Sequence, residues 1–124
     1  MKAIINGRIL LPDREVQDQA LLFDERIIGF TDEAAACQQA DEVIDARGAF
    51  VSPGLIDVHI HGYRGTDVSD DDPAAIRQMA VDLTANGVTA FLPTTLTVDW
   101  QILESVCGHV RELAAESREV DFPG

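Results

Sequence analysis

The sequence predicts an α/β chain in two parts: a small antiparallel β module over residues 1–52, then parallel βα units over residues 53–124. Three observations carry this expectation. Up to Val51 the apolar runs are short and separated by turn residues, as in hairpins. Beyond Pro53 they alternate strand, helix, strand, helix, the order of parallel βαβ units. The first later strand, Leu55-Ile56-Asp57-Val58-His59-Ile60-His61, is largely apolar, as expected of a parallel strand covered on both sides.

Taken in order, Lys2-Ala3-Ile4-Ile5 and Arg8-Ile9-Leu10-Leu11 flank Asn6-Gly7. Asn-Gly between apolar runs is a hairpin signal, because both residues tolerate positive φ. Pro12-Asp13 breaks the chain there. Ala20-Leu21-Leu22-Phe23 and Ile27-Ile28-Gly29-Phe30 flank the polar tip Asp24-Glu25-Arg26, a second expected hairpin. Thr31-Asp32-Glu33-Ala34 has the pattern of a helix start, although the segment to Ala40 is short enough to be only a turn. Glu42-Val43-Ile44-Asp45 and Ala49-Phe50-Val51 around Ala46-Arg47-Gly48 make a third expected strand pair.

Beyond the His-x-His strand, residues 62–72 form a loop rich in Gly and Asp. Asp72-Pro73 reads as an N-cap followed by the first helical residue, where a missing N–H costs nothing. Ile76, Met79, Ala80 and Leu83 give the 3-4 spacing of a one-faced helix over residues 74–86, and Gly87 supplies a left-handed C-terminal residue. Val88-Thr89-Ala90-Phe91-Leu92 is the second strand, closed by Pro93. A helix then starts at Asp99, with Ile102, Leu103, Val106, Val110 and Leu113 as its apolar face and Trp100 as an expected core anchor. Val120-Asp121-Phe122 is a further strand candidate.

Composition narrows the function classes. With 46% hydrophobic and 25% charged residues, the 124-residue chain can bury a core and remain in water. A formal net charge of −13 disfavours nucleic acid and anionic membrane surfaces, both of which would repel it. No apolar run approaches the roughly 18 residues of a membrane span, and the N-terminus lacks a signal-peptide pattern. Cys37 and Cys107 are far apart with no Cys-x-x-Cys, so two free, buried thiols in a reduced, cytoplasmic setting are expected.

The chemistry concentrates at His59 and His61. Side chains two apart on a strand share a face, and their Cα atoms lie about 6–7 Å apart at roughly 3.3 Å per residue. Both imidazoles can therefore reach one ion, and metal ligation is favoured over a pair of core histidines satisfied by backbone. Asp57 shares their face, either to orient an imidazole or to accept backbone hydrogen bonds. The pair sits at the carboxyl end of a parallel strand, where α/β folds build sites. Asp67 and the run Asp70-Asp71-Asp72 are better explained by a solvated loop with a helix cap than by a hard-metal cluster. His109, within the last helix, is expected to be surface or packing.

Asp45-Ala46-Arg47-Gly48 followed by Val51-Ser52-Pro53-Gly54-Leu55-Ile56-Asp57-Val58-His59-Ile60-His61-Gly62 resembles the opening of the amidohydrolase superfamily. Within it, His61-Gly62-Tyr63-Arg64-Gly65-Thr66-Asp67 and Gly87-Val88-Thr89-Ala90-Phe91-Leu92-Pro93-Thr94-Thr95 resemble the N-acetylglucosamine-6-phosphate deacetylase family. The resemblance implies an incomplete (β/α)8, TIM-type barrel, of which residues 53–124 supply the first βα units. Residues 1–52 would be the N-terminal portion of a small β-sandwich. It implies metal-dependent hydrolysis of the N-acetyl group of N-acetylglucosamine 6-phosphate, giving glucosamine 6-phosphate and acetate in amino-sugar catabolism. The partner is then a small amino-sugar phosphate, and the protein a homo-oligomer, a dimer.

On the same resemblance, His59 and His61 are metal ligands, the ion being zinc or iron, with cobalt and nickel equally suited to imidazole. Tyr63 and Arg64 are candidates to line the substrate mouth, and Thr94 is a candidate to hydrogen-bond a sugar hydroxyl or a metal ligand, the alternative being a turn satisfied by its own hydroxyl. A barrel of this kind takes roughly 250 residues. The catalytic residues are therefore expected beyond Gly124, and the chain is expected to be an N-terminal portion without activity alone. Two alternatives stand beside this. One is a dihydroorotase-like or hydantoinase-like cyclic amidase, against which Phe91-Leu92-Pro93-Thr94 counts. The other is a non-catalytic, self-associating fragment with exposed apolar faces.

Overall fold

The structure, a computed structural model, describes residues 1–119, and the strand expected at Val120-Asp121-Phe122 lies outside them. The chain divides into two compact units, Met1–Pro53 and Gly54–Gly124.

In the first unit the strands are β1 (Lys2–Ile5), β2 (Arg8–Leu10), β3 (Glu15–Val16), β4 (Ala20–Phe23) and β5 (Ile27–Thr31). Helix α1 (Glu33–Gln39), β6 (Glu42–Asp45) and β7 (Phe50–Val51) follow. They form two small sheets, ordered β5-β4-β1-β6 and β3-β2-β7. Both sheets are mixed, since β1 pairs with β6 and β2 with β7 in parallel. The purely antiparallel module expected from sequence is therefore corrected.

Only β4 and β5 form an expected hairpin. At Asn6-Gly7 the chain instead leaves one sheet for the other, and at Ala46-Arg47-Gly48 it does so again. Asn6 takes a left-handed φ of 54°, but Gly7 is absent from the positive-φ residues that a hairpin turn of this type needs. Gly7 serves close packing: a Cβ there would lie 2.7 Å from Val51 Cγ2. The two crossings bind each other, with Gly48 N–H donating to Asn6 O at 2.7 Å and Ala46 N–H to Ile5 O at 2.9 Å. Helix α1 forms despite its length, because the Asp32 side chain accepts from the N–H groups of Ala34 and Ala35. Its Ala36 joins Ala3, Ala20 and Leu22 in the core of this unit.

The second unit starts with β8 (Leu55–Ile60), then the short antiparallel pair β9 (Gly62–Tyr63) and β10 (Thr66–Asp67). A 3-10 turn (Val68–Asp70), α2 (Pro73–Thr84), β11 (Val88–Pro93) and α3 (Trp100–Glu119) complete it. Strands β8 and β11 are parallel neighbours, as the βαβ pattern predicts. Asp72 caps α2 by accepting from Ala74 N–H, and Gly87 follows the helix at φ 75°. Val68, Met79, Leu83 and Val106 form the core, with Ile60, Tyr63, Phe91 and Val110 packed against it.

Strand β8 is not covered on both sides among the described residues. Leu55, Ile56 and Val58 are 60%, 68% and 68% exposed. A two-stranded sheet has two open edges, and α2 packs on β11 rather than on β8. Trp100, expected in the core, is 76% exposed at the start of α3. Cys37 and Cys107 are free, as expected, but exposed rather than buried.

Candidate metal centre

His59 sits near the carboxyl end of β8 and His61 immediately follows its last residue, Ile60, so the two-residue spacing turns both rings to one side. Their rings meet edge to face with centroids 4.9 Å apart, and the two Nε2 atoms are 3.2 Å from each other. His59 is exposed and His61 half-buried, so they are not a pair of core histidines. The orientation of His61 comes from its other nitrogen, Nδ1, which lies 3.0 Å from the backbone oxygen of Thr94. A carbonyl oxygen only accepts, so Nδ1 carries the proton, and in neutral His61 Nε2 turns its lone pair toward His59.

This donor pair fits a divalent ion. Two imidazole nitrogens each about 2.0–2.1 Å from one zinc ion stand roughly 2.9–3.4 Å apart for angles between about 90° and 110°. The observed 3.2 Å lies inside that range. Without an ion, the same spacing serves a hydrogen bond from His59 Nε2–H to His61. Among the described residues no third His, Cys, Asp or Glu joins them as a possible ligand. Asp57 turns to the backbone, its Oδ1 accepting from His59 N–H at 3.0 Å. Of the two roles left open for it by the sequence, the structure displays backbone acceptance.

The other candidates fall around this pair unevenly. Thr94 contributes its backbone, while its hydroxyl donates to Leu92 O at 3.1 Å. Tyr63 packs on the core and its hydroxyl accepts from Asn86 Nδ2 at 2.5 Å. Arg64, at a left-handed φ of 51°, points its guanidinium toward Asp82 on α2 at 3.8 Å. Neither Tyr63 nor Arg64 is hydrogen-bonded to the histidines among the described residues. The acidic run serves local structure. Asp67 and Asp70 form a reciprocal cap on the 3-10 turn, Asp72 caps α2, and Asp71 lies 3.2 Å from His109 Nδ1. Sequence reasoning missed the Thr94 carbonyl and Ser69, whose Oγ accepts from Leu96 N–H. No residue-type signal marks a backbone oxygen, and a serine in an Asp-rich loop looks solvated.

A parallel strand thus leads into a pair of convergent imidazoles, with βα units following it. The comparisons agree on the fold. The chain superposes on a solved N-acetylglucosamine-6-phosphate deacetylase from Pasteurella multocida with a TM-score of 0.84 at 22% identity, covering 92% of this chain and 30% of that one. In sequence it is 33% identical over 103 residues to N-acetylglucosamine-6-phosphate deacetylase from Bos taurus, 81% of this chain and 21% of that protein. Over a shorter stretch of 61 residues it is 41% identical to a dihydroorotase from Staphylococcus aureus, 49% of this chain and 14% of the relative. No protein-family model matches. The resemblance to the deacetylases read from the motifs is thus borne out over most of the chain, while the chain spans well under a third of the relatives' length.

Proposed function

We propose that the chain is the first part of an amidohydrolase that deacetylates N-acetylglucosamine 6-phosphate to glucosamine 6-phosphate and acetate. The observation that carries this is the convergence of His59 and His61 at 3.2 Å within a chain similar to the deacetylases over 81% of its length. The longer aligned span, including β11 and the Thr94 loop, favours the deacetylase over the dihydroorotase. A cyclic amidase is the second reading, supported by the 61-residue likeness.

In this reading His59 and His61 hold a divalent ion, zinc or iron, through their Nε2 atoms. When bound, that ion supplies Lewis acidity toward the acyl oxygen and a water made acidic enough to attack near neutral pH. The chain's own residues do simpler work. Thr94 O holds the proton of His61 on Nδ1, so that Nε2 stays a donor of electrons at the site. Asp57 fixes the strand beneath by accepting from His59 N–H. Residues 1–52 and 53–124 are the β-sandwich portion and the first βα units of an incomplete (β/α)8 barrel. The exposed apolar residues of β8 are where further strands and helices of the barrel pack. The remaining ligands, the catalytic acid and base and the phosphate contacts belong to the remainder of the enzyme. The enzyme works in the cytoplasm as a homodimer. None of the described helices is long and apolar enough to cross a membrane.

Acetate release from N-acetylglucosamine 6-phosphate by the full-length protein, run beside ring opening of dihydroorotate, tests the assignment. Acetate release by the full-length protein and none by the 124-residue chain is the expected outcome. Ring opening without acetate release contradicts it, and acetate release by the short chain contradicts the division of labour.

A further inference from the structure

The ring of His61 is held by a backbone oxygen, and what holds that oxygen is visible in the 3-10 turn. The turn is itself fixed. Asp67 Oδ1 accepts from Ser69 N–H at 2.7 Å, Asp70 Oδ2 accepts from Asp67 N–H at 2.9 Å, and Val68 is buried in the core. Two bonds leave it toward the histidine. Val68 N–H donates to His61 O at 2.7 Å, and Ser69 Oγ accepts from Leu96 N–H at 2.9 Å. The Thr94 carbonyl lies between two anchored amides: Thr94 N–H donates to Ile60 O at 2.8 Å, and Leu96 N–H, two residues on, is held by Ser69.

We propose that Ser69 is a positioning residue for His61, aiming the Thr94 carbonyl through its bond to Leu96 and thereby keeping His61 in the Nδ1–H tautomer. The physical basis is peptide-plane geometry. Each peptide unit is a rigid plane, so pinning the peptides on either side at Thr94 N–H and Leu96 N–H fixes where the Thr94–Thr95 plane begins and ends, and the bond from His61 Nδ1 selects its rotation about that line. Released at Leu96, the Thr94–Thr95 peptide can swing, and His61 can shift its proton to Nε2, where a lone pair is needed for a ligand. The histidine is thus held at both ends by one turn, its own carbonyl by Val68 and its ring through Ser69. As a role toward a metal ligand this rests on the proposed function; as a hydrogen-bond linkage it stands without a metal.

The test is long-range proton–nitrogen NMR of the metal-free chain about two pH units above the ordinary imidazole value of roughly 6.5, with Ser69→Ala and Ser69→Thr variants. The wild type is expected to show one His61 tautomer, Nδ1–H, and a Leu96 amide slowed in exchange. In Ser69→Ala, Leu96 exchange rises about 5-fold or more, as for loss of one ordinary hydrogen bond, and the Nε2–H form of His61 appears. Ser69→Thr, which keeps the hydroxyl, restores the single tautomer. Faster Leu96 exchange with an unchanged tautomer overturns the proposal, since Ser69 is then only structural. Should circular dichroism find Ser69→Ala unfolded, the wild type decides: Nε2–H on His61 or an unprotected Leu96 overturns the proposal, and Nδ1–H with protection supports it. Metal content of a His59→Ala, His61→Ala variant is measured separately, so a failure of the metal reading leaves the tautomer result distinct.

Discussion

At the residue scale, three small groups set the geometry around His59 and His61: the Thr94 carbonyl, Ser69 and Gly62. Gly62 follows the second histidine, and a Cβ placed there would stand 2.2 Å from Thr66 O, a backbone atom that cannot turn aside. The requirement is one of space, since Gly62 is not among the positive-φ residues. Gly62→Ala is therefore expected to destabilise the second unit by about 1–3 kcal/mol, the usual cost of overpacking. Urea unfolding followed by circular dichroism checks this, and a variant as stable as wild type contradicts the close approach. The sequence made the two histidines legible because a strand's period of two leaves no choice of face. It did not make Ser69 legible, because the bond to Leu96 depends on how two loops at the ends of parallel strands meet.

At the scale of elements, helix ends were the most readable feature. Asp72-Pro73 and Gly87 behave as their chemistry dictates, and Ile76, Met79 and Leu83 are buried as the 3-4 spacing predicts. Strand pairing was less readable. Asn6-Gly7 and Ala46-Arg47-Gly48 carry turn residues, yet each turns the chain into another sheet, because a turn signal specifies a change of direction and not a partner. Asp45 locks these crossings together, accepting from Arg47 N–H at 2.9 Å and Asn6 Nδ2 at 3.0 Å. The bond from Arg47 N–H, and after it that from Asn6, hold the Asp45 carboxyl below its ordinary value. The Arg8 guanidinium likewise lowers Glu15 on β3. A carboxyl with a lowered folded value stabilises the fold above its unfolded value, about 3.9 for Asp, and that contribution is lost as the pH falls further. Thermal unfolding across a pH series should therefore show the melting temperature falling below about pH 4, with a shallower acid slope in Asp45→Asn. An unchanged slope in the variant would place the acid sensitivity elsewhere.

At the scale of the whole molecule, the α/β class and the parallel β8–β11 pair were legible, whereas the degree of coverage was not. A run such as Leu55-Ile56-Asp57-Val58 reads as a strand buried on both sides because apolar side chains signal burial without naming what covers them. In the described residues the same side chains face outward, since one neighbouring strand and two helices cannot enclose them. The site follows the same logic. Two imidazoles converge, and among the described residues no third His, Cys, Asp or Glu joins them.

The acidic balance, −13 overall, gives the long-range field the same sign as a sugar phosphate, so under the proposed function the substrate needs a local basic pocket that overrides that field. Under the proposed function, what this chain contributes to the chemistry is the histidine pair. Metal content of the purified full-length protein, measured by inductively coupled plasma mass spectrometry for wild type and a His59→Ala, His61→Ala variant of equal fold content, tests that contribution. A loss of bound divalent metal per protein chain in the variant is predicted. Unchanged stoichiometry would mean that the convergent imidazoles form a hydrogen-bonded pair and hold no ion.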